Sequence, residues 1–274
     1  MASKHTSSLS QVPNLIPDFE IKVLLQPDLA LDADNRVLPE VLSVIGGADP
    51  TPVKMSVQFL DTDDQTLYVA GWSPRIRLIQ GKDKFELTYK KRYTVLEHGR
   101  PDHIDAALTA ANVDGFDASD TNYEAQLEWS LAKMTLSISR EKKVPATGFE
   151  GVELPGGKLA REMLFSEAPG KFKTPRGKDK DWGVKTLKDA RVYGPILADR
   201  YVGTFGGRKA YIEVWPIKMK PDGKVVCVVE VSLKVDNMVE ALEHRIRLPL
   251  AMQAWKSPDT EQDKLKTKLI MENY

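Results

Sequence analysis

The sequence predicts an α+β protein dominated by an antiparallel sheet. About eight segments alternate apolar and polar residues with the two-residue period of a strand, short turn-forming stretches join several of them, and only a handful of segments read as helical. The opening segment "IPDFEIKVLL" (16–25) sets the pattern: Phe19, Ile21 and Val23 share one face, while Asp18, Glu20 and Lys22 share the other. Such a charged row costs little in water and a great deal in a dry interior, so the direction of that face bears directly on function.

After this strand, a short helix is expected near 36–45, ended by Gly46-Gly47 and the prolines that follow. Strands are expected at 53–62, 73–80 and 84–95, the last two joined as a hairpin through "GKDK". A helix over about 102–112 precedes the strand segments "NYEAQLEWSLA" and "KMTLSISREKKV". Residues 144–190, rich in Gly, Pro and Lys, read as an excursion carrying one short helix around 157–167. A second hairpin follows, "RKAYIEVWPIKM" and "KVVCVVEVSLKV" joined through "PDG", and two terminal helices end the chain. Domain organisation is read as a loose, Ser-rich stretch over 1–15 and one domain over 16–274.

Composition narrows the function classes. The 274 residues are 42% apolar and 28% charged, and Lys+Arg and Asp+Glu both total 39, so no global field selects nucleic acid or an anionic membrane. Any anion site must come from local clustering. A single cysteine, Cys227, excludes an intramolecular disulfide and a multi-cysteine metal site, and its setting in "VVCVVEV" reads as core. No apolar signal core or membrane-length apolar run is evident, so a soluble cytoplasmic protein is the expectation.

The charged faces carry the functional signal. Arg75 and Arg77 share a face, as do Glu86, Thr88, Lys90 and Arg92; Glu124, Gln126 and Glu128 form another set, and Glu213, Glu230, Ser232 and Lys234 recur near the end. One reading is a half-buried sheet whose charged face meets water. The other is a sheet closed into a barrel, with helices on its apolar outer face and the charges lining a lumen. In that second case acids and bases face one another across a channel, an arrangement suited to a phosphate chain. Hard cations such as Mg²⁺ or Mn²⁺ would take carboxylate and phosphate oxygens, and arginine and lysine the remaining phosphate oxygens.

At these residues the chain resembles the CYTH superfamily, also called triphosphate tunnel metalloenzymes. "DFEIK" corresponds to that family's opening Glu-x-Glu-x-Lys strand, "QFLDTDDQTLYVAGWSPRIRLI" and "FELTYKKR" follow in the family's order, and "YIEVWPI" with "VVEVSL" resembles its last strand pair. The resemblance implies an eight-stranded antiparallel tunnel with helices packed outside. It further implies Asp18, Glu20, Glu213 and Glu230 as metal ligands for Mg²⁺ or Mn²⁺. Lys22, Arg75, Arg77, Lys90, Arg140 and Arg200 would hold phosphate, and Glu20 and Lys22 would stand at the chemistry. The activity it implies is hydrolysis of inorganic tripolyphosphate or an organic triphosphate. The alternatives are an adenylyl cyclase, or a repurposed tunnel that binds or converts another phosphorylated metabolite such as a diphosphate. Two departures bear on the metal: Asp18 stands where the family has Glu, and Ser232 where it has a second acid.

Other residues read as structural. His5, His98, His103 and His244 lack acidic or histidine partners at ligand spacing and are expected on surfaces or loops. "GTFGGRK" lacks the strand–loop–helix setting and Gly-Lys-Ser/Thr ending of a phosphate-binding loop and reads as a hairpin turn. "KFKTPRGKDKDW" reads as a solvated loop, or as a lid over a tunnel mouth, and Trp215 beside Glu213 as packing or as a stacking platform.

Overall fold

The computed structural model describes residues 14–47, 49–95, 101–257 and 266–274. Most of the expected 1–15 stretch, with His5, and also His98, therefore lie outside the described residues. Among the described residues nine strands form in chain order: β1 (Asp18–Leu25), β2 (Val53–Asp61), β3 (Trp72–Ile79), β4 (Lys84–Val95), β5 (Glu124–Trp129), β6 (Met134–Pro145), β7 (Arg191–Phe205), β8 (Arg208–Lys218) and β9 (Val225–Val235). They close into one barrel in the order β1-β5-β6-β4-β3-β2-β7-β8-β9, with β9 pairing back to β1.

Two corrections to the expected eight-stranded antiparallel tunnel follow. The additional strand is β7, where "RVYGPILADRYVGTF" hides its alternation behind Gly194-Pro195 and a broken apolar pattern. The β1–β5 pair is parallel, Glu20 meeting Glu128, while every other pair is antiparallel. All eight segments expected as strands are strands.

Helices α1 (Pro27–Ala30), α2 (Pro39–Val44), α3 (Thr66–Val69), α4 (Pro101–Val113), α5 (Gly157–Ser166), α6 (Gly170–Lys173), α7 (Trp182–Lys188), α8 (Met238–Ala251) and α9 (Lys266–Asn273) complete the described elements. Helix α2 starts on a proline, whose fixed φ suits a first turn, and stops at Gly46 and Gly47 with φ of 69° and 75°. Helix α8 is capped by Asn237, whose side chain accepts from the Glu240 amide at 2.9 Å. No described helix is long and apolar enough to cross a membrane.

The main apolar core lies outside the barrel. Phe19, Ile21, Val23, Ile76, Leu87, Leu127, Leu136, Ile212 and Val231 point outward and are covered by helical residues such as Val41, Ala111, Leu164, Leu187, Ala241 and Leu248. Burying the apolar side of each strand beneath helices forces the alternate, charged side inward.

The 144–190 excursion belongs to this outer layer. Phe172 of α6 is fully buried, its ring centroid 5.3 Å from Trp72 and 5.0 Å from Tyr89, and the Tyr89 hydroxyl donates to the Leu164 carbonyl at 2.5 Å. No residue of 144–190 lines the lumen, so the lid reading of "KFKTPRGKDKDW" is set aside. His244 also departs from expectation. It is buried on α8 against the Phe205 ring rather than exposed.

A second, smaller core fills part of the barrel itself. Met55, Val57 and Phe59 of β2, Tyr193, Ile196 and Ala198 of β7, and Trp215 and Ile217 of β8 pack with Ile270 and Met271 of α9. The barrel is therefore dry where α9 seats and polar elsewhere.

At Gly203 strand β7 passes so close to α2 that a Cβ would stand 2.1 Å from the Ile45 carbonyl oxygen. That carbonyl accepts from Thr204 N at 2.8 Å and cannot retreat cheaply. Gly203→Ala is expected to lower stability by about 1–3 kcal/mol, the usual cost of overpacking, measured as a lower urea midpoint with unchanged slope.

Candidate active site

The polar part of the barrel is a cavity of about 350 Å³. Strand alternation delivers its walls: Asp18, Glu20 and Lys22 from β1; Arg75 and Arg77 from β3; Thr88, Lys90 and Arg92 from β4; Glu124, Gln126 and Glu128 from β5; Arg200 from β7; Glu213 from β8; and Glu230, Ser232 and Lys234 from β9. Nine of the ten residues singled out for the site thus converge on one chamber. The exception is Arg140. Its neighbours Ser139 and Glu141 line the chamber, so alternation sends Arg140 outward, where it lies 5.6 Å from the Tyr123 ring centroid in a surface groove. It is removed from the phosphate-binding set.

Most of the chamber's charges pair internally. Glu128, nearly inaccessible, accepts from Lys22 at 3.1 Å, Lys90 at 2.6 Å and the Ser137 hydroxyl at 2.6 Å. Burial works against its charge, but Lys22, Lys90 and Arg92 outweigh burial and hold the carboxyl well below the usual range. One carboxylate cannot serve two buried ammonium groups equally. Lys22 also faces Glu20 at 3.1 Å and Glu230 more distantly; burial opposes its charge, yet these acids push its pKa up. Lys90 is pushed down to about 8, by burial first and by Arg92 and Lys22 as well. Arg77 is held by Glu86, its Nε donating to Oε2 at 2.5 Å.

At the opposite wall Glu213 and Glu230 stand directly across from each other on β8 and β9. Two bare carboxylates so placed would repel, and a lysine from outside the barrel strands resolves the conflict. Lys266, the first residue of α9, places Nζ 2.7 Å from Glu213 Oε2 and 2.8 Å from Glu230 Oε1. Glu213 also accepts from Arg200 Nε at 2.8 Å, Arg200 Nη2 at 2.6 Å and Trp215 Nε1 at 2.9 Å. Burial opposes ionisation of Glu213, but Lys266 and Arg200 overcome it and drive its pKa far down; those same carboxylates raise that of Lys266 against burial. Trp215 points inward and is spoken for by Glu213 and by Lys266, 4.7 Å above its ring.

These pairings test the metal expectation. A hard cation needs several oxygens converging on one point, and the described residues contain no group of three or more His, Cys, Asp or Glu so placed. The four expected ligands share the chamber without sharing a centre. Glu213 and Glu230 grip Lys266, Glu20 pairs with Lys22, and Asp18 is an exposed rim residue whose pKa is raised by partial burial and by Asp236. As arranged, the residues do not fit Mg²⁺ or Mn²⁺.

Two deeply placed cations, Arg75 and Arg92, have no ion-pair carboxylate among the described residues. Arg75 donates from Nη2 to Thr88 Oγ1 at 3.1 Å, and Arg92 contacts Ser73 Oγ and, at 3.3 Å, Thr267 Oγ1 of α9. Neither has an ion-pair partner among the described residues, and the Nε of each is buried without a hydrogen-bond acceptor. Burial first, then Arg77 and Arg92, lower the Arg75 pKa to about 9. An anion seated beside these guanidiniums would supply the negative charge that neither has.

Sequence reasoning missed Lys266, Glu128 and Arg92 as site residues. Glu128 and Arg92 sit on the same alternating faces as residues already singled out, so the signal was present. Nothing in "DKLKTKLIMENY" distinguishes Lys266 from its neighbouring lysines.

No protein-family model and no curated protein sequence matches the chain. Among solved structures, a candidate adenylate cyclase from Bacillus halodurans is similar over 92% of this chain and 96% of its own, with 10% identity and a TM-score of 0.50. A candidate adenylyl cyclase from Hippeastrum, described as having dominant triphosphatase activity, matches over 93% and 99% with 11% identity and a TM-score of 0.49. At such identities the Bacillus likeness speaks for the fold alone. The barrel has the fold of that Bacillus protein: a closed sheet, here of nine strands among the described residues, with helices outside.

Glu128→Gln would leave Lys22 and Lys90 buried around a neutral amide. It is expected to destabilise by about 3–5 kcal/mol, the cost of breaking a buried ion pair from one side. Because the native Glu128 pKa is depressed, its contribution is present above the unfolded value of about 4.3 and fades as pH falls below that. Chemical denaturation at pH 7 and pH 3 should show the wild-type advantage over the variant shrinking at the lower pH.

Proposed function

We propose that the barrel takes a triphosphate-bearing anion, inorganic tripolyphosphate or an organic triphosphate, as a substrate for hydrolysis. The observation that carries the proposal is the pair of buried guanidiniums, Arg75 and Arg92, left without carboxylates in a chamber where the other deeply placed charges are paired. Lys90 adds a third cation whose charge is only loosely held. An incoming phosphate chain would reinforce Lys90's charge and complete the electrostatic balance of the basic wall. Developing charge on a leaving phosphate would meet donors already in place. Glu20 on β1, half-buried and paired with Lys22, is the carboxylate we assign to orient a water.

A second reading, a tunnel that binds a phosphorylated metabolite without hydrolysing it, is favoured by the Lys266 bridge, which withdraws Glu213 and Glu230 from chemistry. Phosphate release from tripolyphosphate, ATP and a diphosphate separates the two, run with Mg²⁺, with Mn²⁺ and with EDTA beside Glu20→Gln. Release that the variant loses while retaining its fold supports hydrolysis. Ligand-induced thermal stabilisation with no release from any substrate supports the binder.

Both readings share a pH dependence. If the anion requires protonated Lys90, titrating at about 8, its affinity should fall about tenfold between pH 7 and pH 9. Calorimetric titration of tripolyphosphate checks this, and Arg92→Ala should weaken binding at both pH values. An affinity flat across that range would remove Lys90 from the site.

A further inference from the structure

We infer that Lys266 takes the place of a divalent cation in this barrel, so that the chamber binds its anion without metal. The inference rests on the anion-binding reading of the chamber and goes beyond it in assigning the counter-charge. Glu213 and Glu230 face each other across β8 and β9, two carboxylates placed where a cation would sit between them. The structure fills it with an ammonium at 2.7 and 2.8 Å. Glu20 and the remaining Glu213 oxygen are tied up as well. Both Glu213 oxygens accept from Arg200, Trp215 or Lys266, and Glu20 is held by Lys22. Where the motif pattern carries a second acid, Ser232 stands opposite Lys22 and offers no charge.

Lys266 is not a loose surface chain that could yield to an ion. Ile270 and Met271 of the same helix are buried in the inner core. The Met271 main-chain oxygen accepts from Gln65 Nε2 at 2.8 Å, and that of Tyr274 accepts from Arg191 Nη2 at 2.8 Å. The next residue, Thr267, reaches Arg92. One turn of α9 therefore neutralises the acidic wall and touches the basic one. A divalent ion entering between Glu213 and Glu230 would have to expel the ammonium into a cavity already holding Lys22 and Arg200, or unseat the helix.

The balance of charge agrees. A single ammonium brings one positive charge where a metal would bring two, and the unpaired cations needed by a polyanion are supplied by Arg75 and Arg92 instead.

The test is Mn²⁺ binding by electron paramagnetic resonance on the full chain without anion, beside calorimetry of tripolyphosphate in EDTA. Wild type is expected to bind no Mn²⁺ stoichiometrically and to bind tripolyphosphate in EDTA. Lys266→Met, checked for a native circular dichroism spectrum, should gain one Mn²⁺ per chain, and Lys266→Met/Glu230→Gln should lose it again. One Mn²⁺ bound by wild type and lost in Glu230→Gln would overturn the inference, as would a folded Lys266→Met that gains none. Should Lys266→Met fail to fold, the wild-type titration decides alone. Tripolyphosphate binding that appears only with Mn²⁺ also overturns it, whereas no anion binding under either condition sinks the functional reading of the chamber instead.

Discussion

Everything in this structure follows from closing a sheet whose strands are charged on one side. Once the apolar faces are buried under helices, the charged faces have nowhere to go but inward, and an enclosed charge without a partner costs several kcal/mol. Every inward residue is then under pressure to find a counter-charge across the lumen. The Glu128 cluster, the Arg77–Glu86 pair and the Arg200–Glu213–Lys266–Glu230 chain are three local solutions of that single constraint. Each ties together different strands, or a strand and a helix.

The constraint is not met uniformly, and the unevenness defines the site. The acidic wall is closed from within by Lys266, whereas the basic wall stops short of neutrality at Arg75 and Arg92. An interior evolved only for stability would have no reason to bury two guanidiniums against hydroxyls, since Thr88 and Ser73 offer dipoles where a carboxylate would offer charge. A ligand that brings its own negative charge would supply the partner these two guanidiniums lack, and the proposed function rests on that gap.

Much of this was legible in the residues. The two-residue alternation at Asp18, Glu20 and Lys22, and again at Arg75–Arg77 and Glu86–Arg92, placed the charges on common faces, and the scarcity of helices favoured closing the sheet. What failed did so for physical reasons. Strand β7 was hidden because Gly194-Pro195 interrupts it and because both of its faces carry apolar residues, Ile196 and Ala198 inward and Tyr201 outward. Arg140 was misassigned by one residue, and in a strand one residue is a change of face. The parallel β1–β5 pair and Lys266 depend on where distant segments meet, which local patterning does not encode.

The last point bears on how such barrels should be read from motifs. The charged residues of "DFEIK" and "RIR" and the Glu213/Glu230 pair all line the lumen, so by motif alone the chamber is ready for a metal. The helix that follows the barrel changes that reading, because it inserts an ammonium where Glu213 and Glu230 converge. Glu213 and Glu230 would be unfavourable neighbours without a cation of some kind, and a tethered lysine meets that need at a fixed concentration, independent of the ion content around it. The cation requirement belongs to the strands; which cation meets it is decided by a segment outside them.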